Sequence, residues 1–259
     1  MRVIKNIILV GAGNVATHLA TALFKKGFKI IQVYSRTEKS ASELASKVKA
    51  SSTNNISEIS GMADLYIISV SDKALADISS RFFLKNMLVV HTSGFHDINI
   101  LKGTSSRYGV LYPLQTFSKN RKPDFTKVPM CIEAKKNEDE KALKQFAKKL
   151  STDVRILNSA SRRIIHVAAI FACNFTNFMY SSAFNILIKK KIPFDILKPL
   201  IIETALKIIS EKPSEVQTGP ARRGDKKVME QHLKMLDDKD LRELYKTISN
   251  QIYKTYHIL

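Results

Sequence analysis

A glycine-rich turn lies between a buried-strand pattern and a helix pattern near the start of the chain. Its residues follow a continuous apolar run over 3–10 and open a helical pattern over 14–26. Such a turn presents backbone N–H groups at a helix N-terminus to a phosphate group. Two glycines permit the tight turn and the close phosphate approach, and Ala16 lets the helix pack against the sheet. We therefore predict a dinucleotide site formed by Gly11, Ala12, Gly13, Asn14 and Val15.

The residues after the second predicted strand distinguish between two dinucleotides. An acidic side chain here would accept hydrogen bonds from a free ribose 2′-hydroxyl. The chain instead has Tyr34-Ser35-Arg36-Thr37. Arg36 can pair with a 2′-phosphate, and Ser35 and Thr37 can donate hydrogen bonds to it. We therefore predict NADP(H) as the cofactor in preference to NAD(H).

Three further strand ends carry candidate site residues. Val70 and Ser71 should line the nicotinamide side of the sheet, where the carboxyl ends of parallel strands meet, whereas Asp72 is better explained as a helix cap. In His91-Thr92-Ser93-Gly94, His91 can titrate and Ser93 can hold a substrate carboxylate; a plain turn explains this segment equally well. In Tyr112-Pro113-Leu114-Gln115, packing best explains Tyr112. The predicted substrate-binding residues at these ends are His91, Ser93, Gly94 and Gln115.

A polar stripe runs along an otherwise apolar helix pattern over residues 162–191. Asn174 and Asn177 fall within about 100° of His166 on a helical wheel. We predict His166 and Asn174 as catalytic residues, with the imidazole moving a proton and Asn174 or Asn177 orienting it. Asn177 is also a predicted substrate-binding residue. A metal site is not expected, because no carboxylate or second histidine shares this spacing.

The segment VQTGPARRGDKK, residues 216–227, connects two helix patterns. Gly219 and Gly224 permit unusual backbone angles, Pro220 stiffens the turn, and Asp225 can cap the following helix. That arrangement favours Arg223 as a substrate-binding residue for a carboxylate. The alternative is a connector with solvated charges.

The order of elements predicts the fold class. Strand patterns alternate with helix patterns in the first part of the chain. The strand patterns cover residues 3–10, 29–35, 64–70, 87–91, 108–114, 129–134 and 154–157. The helix patterns cover residues 14–26 and 38–49, a short stretch from 73 onward, and 138–150. After residue 158 the patterns are helical, over 162–191, 195–211, 225–235 and 238–256. This predicts an α/β fold: a Rossmann, doubly wound, mostly parallel sheet over residues 1–158, followed by an all-α domain over 159–259.

Composition limits the partners and the compartment. The 259 residues carry a formal charge of +19, but the lysines are scattered and no nucleic-acid-binding motif accompanies them, so we expect no nucleic acid partner. Cys131 and Cys173 are expected to be thiols in a reducing, cytoplasmic compartment. The apolar stretch over 164–188 is interrupted by His166 and three asparagines, so no membrane insertion is expected. The long apolar helices favour a homodimer through the helical domain.

Six segments of the chain together resemble one protein family. They are GAGNVA, YSRT, HTSG, YPLQTF, HVAAIFACNFTN and TGPARRGD. The chain is similar to the Rossmann-like NADP oxidoreductases that carry a helical C-terminal domain of unknown function. The resemblance implies a helical dimerisation domain similar to those of pyrroline-5-carboxylate reductase, ketopantoate reductase and the 3-hydroxyacid dehydrogenases. His166 and Asn174 match the family pattern. The family usually has histidine at position 112, and relatives often have histidine at position 178, where this chain has Tyr112 and Phe178.

These features predict an NADP(H)-dependent oxidoreductase acting on a small oxo, imino or hydroxy acid. The alternative is a non-catalytic NADP(H)-binding sensor or regulatory protein, because no unambiguous acid–base pair stands out. An imine reductase of the pyrroline-5-carboxylate class is disfavoured by the C-terminal signature.

Overall fold

A computed structural model of the chain describes residues 3–81 and 83–257. The chain divides into two compact units, Met1–Cys173 and Asn174–Leu259. The predicted domain boundary between residues 158 and 159 stays a prediction. It coincides with a change of secondary structure, because the last strand ends at Ile156 and a helix begins at Ser159.

The first unit is built on one eight-stranded sheet with the order β3-β2-β1-β4-β5-β6-β7-β8. Neighbouring strands are parallel except β6 and β7, which are antiparallel, and this confirms the predicted mostly parallel sheet. The strands are β1 Asn6–Val10, β2 Lys29–Tyr34, β3 Ser51–Thr53, β4 Leu65–Ile68, β5 Leu88–His91, β6 Arg107–Pro113, β7 Met130–Ala134 and β8 Val154–Ile156.

Side-chain alternation along the strands gives the sheet two apolar faces. In β1, Ile7 and Leu9 pack into one core, and Ile8 and Val10 into the other. Because both faces are covered, the strand reads as an unbroken apolar run rather than an alternating one. The helices of this unit are α1 Asn14–Lys25, α2 Glu38–Val48, α3 Asp72–Ser80, α4 Asn137–Lys148 and α5 Ser159–Ala169.

Two details of the first unit differ from the sequence prediction. Strand β3 was not predicted, because three residues are too few for a period-2 pattern to be recognised. Helix α5 begins at Ser159 and not at Arg162, because Asn158 caps it by accepting a hydrogen bond from the backbone N–H of Ser161. Three short 3₁₀ turns, Ile56–Glu58, Ile98–Leu101 and Phe125–Lys127, also lie in the connections.

The second unit is helical. A π-helical segment, Ile170–Phe175, follows α5 and continues into α6 Thr176–Lys189, so the single helix predicted over 162–191 contains a change of winding. A 3₁₀ turn, Phe194–Leu197, then precedes α7 Lys198–Ser210, α8 Pro220–Arg223, α9 Lys226–Met235 and α10 Lys239–His257. The four-residue helix α8 lies inside a segment that the sequence predicted only as a connection.

The helices of the second unit leave much apolar surface uncovered. Among residues 174–257, Ala221 alone is classed as buried. Large apolar side chains are exposed along α6 and α7, including Ile209, which is 80% exposed. The helical stretch Ser159–Lys189 is long and apolar enough to cross a membrane, judged by length and composition alone. It contains an 18-residue window with a mean hydropathy of 1.3, and no residue of that window is buried.

Candidate functional site

The glycine-rich turn joins β1 to α1 at the edge of the sheet. Gly11 has a φ of +120°, and a Cβ on it would lie 2.2 Å from the carbonyl oxygen of Ser69 on the neighbouring strand connection. No side chain with a Cβ fits there, so this glycine is required by both conformation and space. The turn therefore has the geometry that the sequence motif predicts.

The first turn of α1 is open to an anionic group. A Cβ on Gly13 would meet no atom within 4 Å, so the backbone there is accessible. Gly13 is the N-cap residue, no side chain caps the helix, and no acidic residue lies in its first turn. The free N–H groups and the positive end of the helix dipole thus fit a pyrophosphate.

The end of β2 offers a cation and hydroxyl groups to the same cavity. Arg36 and Ser35 line it, and the hydroxyl of Thr37 donates to Ser40 Oγ at 2.9 Å. The nearest acid along the chain, Glu38, accepts a hydrogen bond from Ser52 at 3.0 Å. Because that carboxylate is engaged by Ser52, the arrangement fits a 2′-phosphate better than a 2′-hydroxyl.

The glycine-rich turn, the first turn of α1 and the residues after β2 line a single cavity in the first unit, which we call the dinucleotide cavity. It encloses about 720 Å³. The predicted residues that line it are the cofactor set Gly11, Ala12, Gly13, Asn14, Val15, Ser35, Arg36, Thr37, Val70 and Ser71, together with Ser93, Gly94, Gln115 and His166. Asn14 also holds one rim in place, since its amide donates to the carbonyl of Phe117 at 3.3 Å.

His166 and Tyr112 form a pair in the wall of the dinucleotide cavity. The Tyr112 hydroxyl lies 3.1 Å from His166 Nδ1, and the two rings meet edge to face with centroids 6.0 Å apart. Both side chains are half-buried. Tyr112 comes from the end of β6, and His166 comes from the second turn of α5. The site thus contains a pair of groups that can hold and move a proton.

Gly94 allows this pair to approach the loop after β5. A Cβ on Gly94 would lie 2.6 Å from His166 Nδ1 and 2.9 Å from Tyr112 Cζ. Both distances are shorter than Cβ contacts in proteins, so any larger residue would displace the pair. Gly94 fits beside the Tyr112–His166 pair because it has no side chain.

Burial makes the Tyr112 phenol a weaker acid than an exposed tyrosine. Desolvation raises the pKa of Tyr112 to about 12, so the phenol keeps its proton at neutral pH. For a neutral imidazole whose Nδ1 carries no proton, we assign the phenol O–H as the donor to His166 Nδ1. In the neutral imidazole the remaining proton is then on Nε2.

Ser93 and Asp72 form a second polar contact at the rim. Ser93 Oγ donates to Asp72 Oδ1 at 2.6 Å and accepts hydrogen bonds from the backbone N–H groups of Phe95 and His96. Both residues line the dinucleotide cavity. The N-cap residue of α3 is Ser71, and Asp72 is the first residue of the helix with no side-chain capping hydrogen bond at this end, so the predicted capping role of Asp72 is wrong.

The side chain of His91 does not lie in the cavity, where the sequence predicted a substrate-binding residue. It is fully buried and does not line the dinucleotide cavity. Its Nδ1 accepts a hydrogen bond from the backbone N–H of Ser93 at 3.1 Å. Burial, with a smaller contribution from the Arg162 charge, lowers the pKa of His91 to about 3, so the ring is neutral. The structure supports a role for His91 in shaping the Ser93 turn and does not support contact with a substrate.

The remaining predicted residues lie in the second unit. Asn174 lies within the π-helical segment and Asn177 lies in the first turn of α6; both are exposed, and their predicted roles stay predictions. Arg223 is exposed at the end of α8, beside a cavity of about 520 Å³ that Gln217, Thr218 and His257 also line.

The backbone around Arg223 has the predicted features. Gly219 and Gly224 have φ angles of +106° and +74°, and Asp225 accepts from the backbone N–H of Val228 at 3.1 Å as the N-cap of α9. The neighbouring Arg222 stacks over the ring of Tyr256 at 4.2 Å. The loop is therefore ordered by its own contacts, and the role of Arg223 stays a prediction.

Sequence reasoning gave too little weight to Tyr112. Packing was the stronger explanation for a tyrosine near a strand end, and its partner His166 is 54 positions away along the chain. The available signal was its place at the carboxyl end of a strand, where ligand-facing groups collect in such sheets.

Two family models match the chain. A model described as shikimate/quinate 5-dehydrogenase matches residues 3–81, and a domain of unknown function, DUF2520, matches residues 128–252. No curated protein matches the chain.

Solved structures extend this comparison over the whole chain. A "putative NADP oxidoreductase" from Bacteroides fragilis is 47% identical, with a TM-score of 0.92, over 96% of this chain and 98% of that one. The chain belongs to the family of Rossmann-fold NADP oxidoreductases with a DUF2520 domain. This confirms the family resemblance and the fold class, and the predicted cofactor is the one in the family's name.

More distant structures share the fold alone. An imine reductase from Myxococcus stipitatus in complex with NADP⁺ is 14% identical over 98% of this chain and 93% of that one, with a TM-score of 0.64. A 1-pyrroline-5-carboxylate reductase from Streptococcus pyogenes is 10% identical over 98% of both chains, with a TM-score of 0.66. Membership of the oxidoreductase family therefore does not identify the substrate of this chain.

Proposed function

We propose that this oxidoreductase uses NADP(H) to interconvert a small oxo or imino acid and its reduced form. The observation that carries the proposal is the Tyr112–His166 pair, which lies in the same cavity as the glycine-rich turn and Arg36. A protein that only stored or sensed the dinucleotide would not need a proton-transferring group in that cavity.

The chemistry follows from the groups that line the cavity. When bound, NADPH supplies a hydride to the carbon of a C=O or C=N bond. His166, in its imidazolium form, gives its Nε2 proton to that oxygen or nitrogen, so the product carries both added hydrogens and a neutral imidazole remains. Tyr112 keeps its own proton, and its hydroxyl oxygen accepts a hydrogen bond from Nδ1–H of the imidazolium, which directs Nε2 to the exchange. The imidazole then regains a proton from solvent.

We propose two sites for the carboxylate of the substrate. Ser93 lies at the rim of the dinucleotide cavity and would donate its hydroxyl proton to the carboxylate in exchange for its hydrogen bond to Asp72. Arg223 offers an exposed guanidinium, whose planar donor pattern matches a carboxylate. The ordered loop supports Arg223, since its backbone position is fixed before a carboxylate binds.

We also propose that a second copy of the chain covers the exposed apolar surface of α6 and α7. An all-α unit with one buried residue among those described lacks a core of its own, and a twofold partner can supply one. Leu200→Lys/Ile209→Lys should give a monomer in sedimentation or light scattering. Met62→Lys is the control, because Met62 is 82% exposed in the first unit. A dimer that survives the double substitution would contradict this surface.

The activity is tested by binding first and turnover second. Purified protein is titrated with NADPH and then mixed with a panel of small oxo and imino acids while nicotinamide absorbance is followed. We expect at least one acid to oxidise NADPH, and His166→Ala to bind NADPH normally but to lose turnover. Arg163→Met, an exposed neighbour on the same helix, should keep both properties. Tight binding with no oxidation by any acid would favour a non-catalytic sensor.

A further inference from the structure

A buried ion pair anchors the start of α5. Arg162 is 1% exposed, and its Nη1 donates to Glu133 Oε2 on β7. Ser159, in the first turn of the same helix, donates to the same carboxylate oxygen at 2.7 Å. Ser159 Oγ also accepts from the backbone N–H of Ile98 at 3.0 Å. The helix is thus tied to a sheet strand and to the segment after β5.

The same arginine holds the loop that carries Gly94. Arg162 Nη2 donates to the backbone carbonyl of His96. The backbone N–H of His96 donates to Ser93 Oγ at 3.0 Å, and Ser93 in turn donates to Asp72. Gly94 lies between these two loop residues and contacts the Tyr112–His166 pair. One guanidinium therefore connects the helix that bears His166 with the loop against which His166 packs.

Helix geometry carries this restraint to the imidazole. Arg162 and His166 are four residues apart, so they lie on the same face of α5, about one turn from each other. A rotation or slide of α5 that moved His166 away from Tyr112 would also break the contacts of Arg162. We propose that Arg162, together with Glu133, is a positioning residue that holds His166 against Tyr112 and Gly94. The catalytic value of this position rests on the function proposed above.

An arginine suits this role better than an apolar residue would. Buried ion pairs often contribute little to stability when compared with well-packed apolar side chains. A planar guanidinium, however, can donate to several acceptors in set directions at once. Here those acceptors are a carboxylate on β7, a carbonyl in the loop and the hydroxyl of Ser159, which Arg162 Nη2 reaches at 3.1 Å. The contacts specify where the helix sits.

The test uses the full-length protein, NADPH as the probe, and ¹⁵N-histidine labelling. The key variant is Arg162→Met/Glu133→Leu, because removing both charges leaves neither one buried without a partner. Arg163→Met is the matched control, since Arg163 has the same charge on the same helix but is about half exposed. The readouts are NADPH affinity and the ¹⁵N shift of His166 Nδ1, each measured with and without Tyr112→Phe.

We expect the double variant to differ from the native protein and from Arg163→Met in how His166 responds to Tyr112→Phe. In the native protein and in Arg163→Met, Tyr112→Phe should shift the His166 Nδ1 resonance, because the hydrogen bond from the phenol is lost. In the double variant, NADPH affinity should be unchanged and the shift caused by Tyr112→Phe should disappear. A double variant that binds NADPH and still shows the native response to Tyr112→Phe would overturn the positioning role. This readout needs no substrate, so it stands apart from any failure to find turnover.

Discussion

Replacing Gly94 by alanine tests the site geometry by adding one methyl group. The new Cβ would lie 2.6 Å from His166 Nδ1, and ordinary contacts begin at 3.4 Å, so the ring must move by about 0.8 Å. Tyr112 Cζ, at 2.9 Å, blocks relaxation on its side. A misplacement near 1 Å costs on the order of 100-fold in rate. We expect kcat to fall roughly 10- to 100-fold while NADPH affinity stays unchanged.

The assay compares single-turnover NADPH oxidation in the native protein, Gly94→Ala and Gly103→Ala. Gly103 is the matched control, because a Cβ there would meet no atom within 4 Å. Histidine ¹⁵N spectra of the same proteins report whether the contact between Tyr112 and His166 Nδ1 survives. Native turnover and a native Nδ1 resonance in Gly94→Ala would refute the claim that close approach at this glycine positions the pair.

Two further predictions concern the cofactor and the core. Arg36→Glu should lower NADPH affinity roughly 10- to 100-fold and raise the relative affinity for NADH, because a charged hydrogen bond to the 2′-phosphate is lost. Fluorescence titration with both cofactors measures the two affinities. An unchanged cofactor preference would contradict the role of Arg36. His91 has a pKa near 3 when folded, so the unfolded chain binds the extra proton as pH falls from 6.5 towards 3. The free energy of unfolding should therefore fall by about 2 kcal/mol between pH 7 and pH 5. His91→Asn should lose that part of the dependence in urea titrations, and an identical pH dependence would refute it.

Local patterns in the sequence predicted the sheet and the dinucleotide turn because the physical causes are local. The unbroken apolar run in β1 follows from burial on both faces, and Gly11 and Gly13 follow from a turn that closes within a few residues. The cap at Asp225 is equally local and was predicted from its position before a helix. Such features need no knowledge of the rest of the chain.

The proton-transfer pair depends on contacts that no local pattern encodes. His166 was singled out from a helical stripe, but its contact with Tyr112 arises only when β6 and α5 come together. His91 ends a strand on the expected edge, yet its side chain points into the core, and a strand end alone does not distinguish the two outcomes. The buried pair of Arg162 and Glu133 was not predicted for the same reason.

The central claim is that His166 transfers a proton during hydride transfer in the dinucleotide cavity. The most direct measurement uses NADPH that carries deuterium on the transferring carbon of the nicotinamide, with the oxo and imino acid panel and mass spectrometry of the products. We expect deuterium on the former carbonyl or imine carbon of at least one product with native protein, and almost none with His166→Ala despite normal NADPH binding. Equal deuterium transfer by His166→Ala, or no transfer by the native protein to any acid, would contradict it.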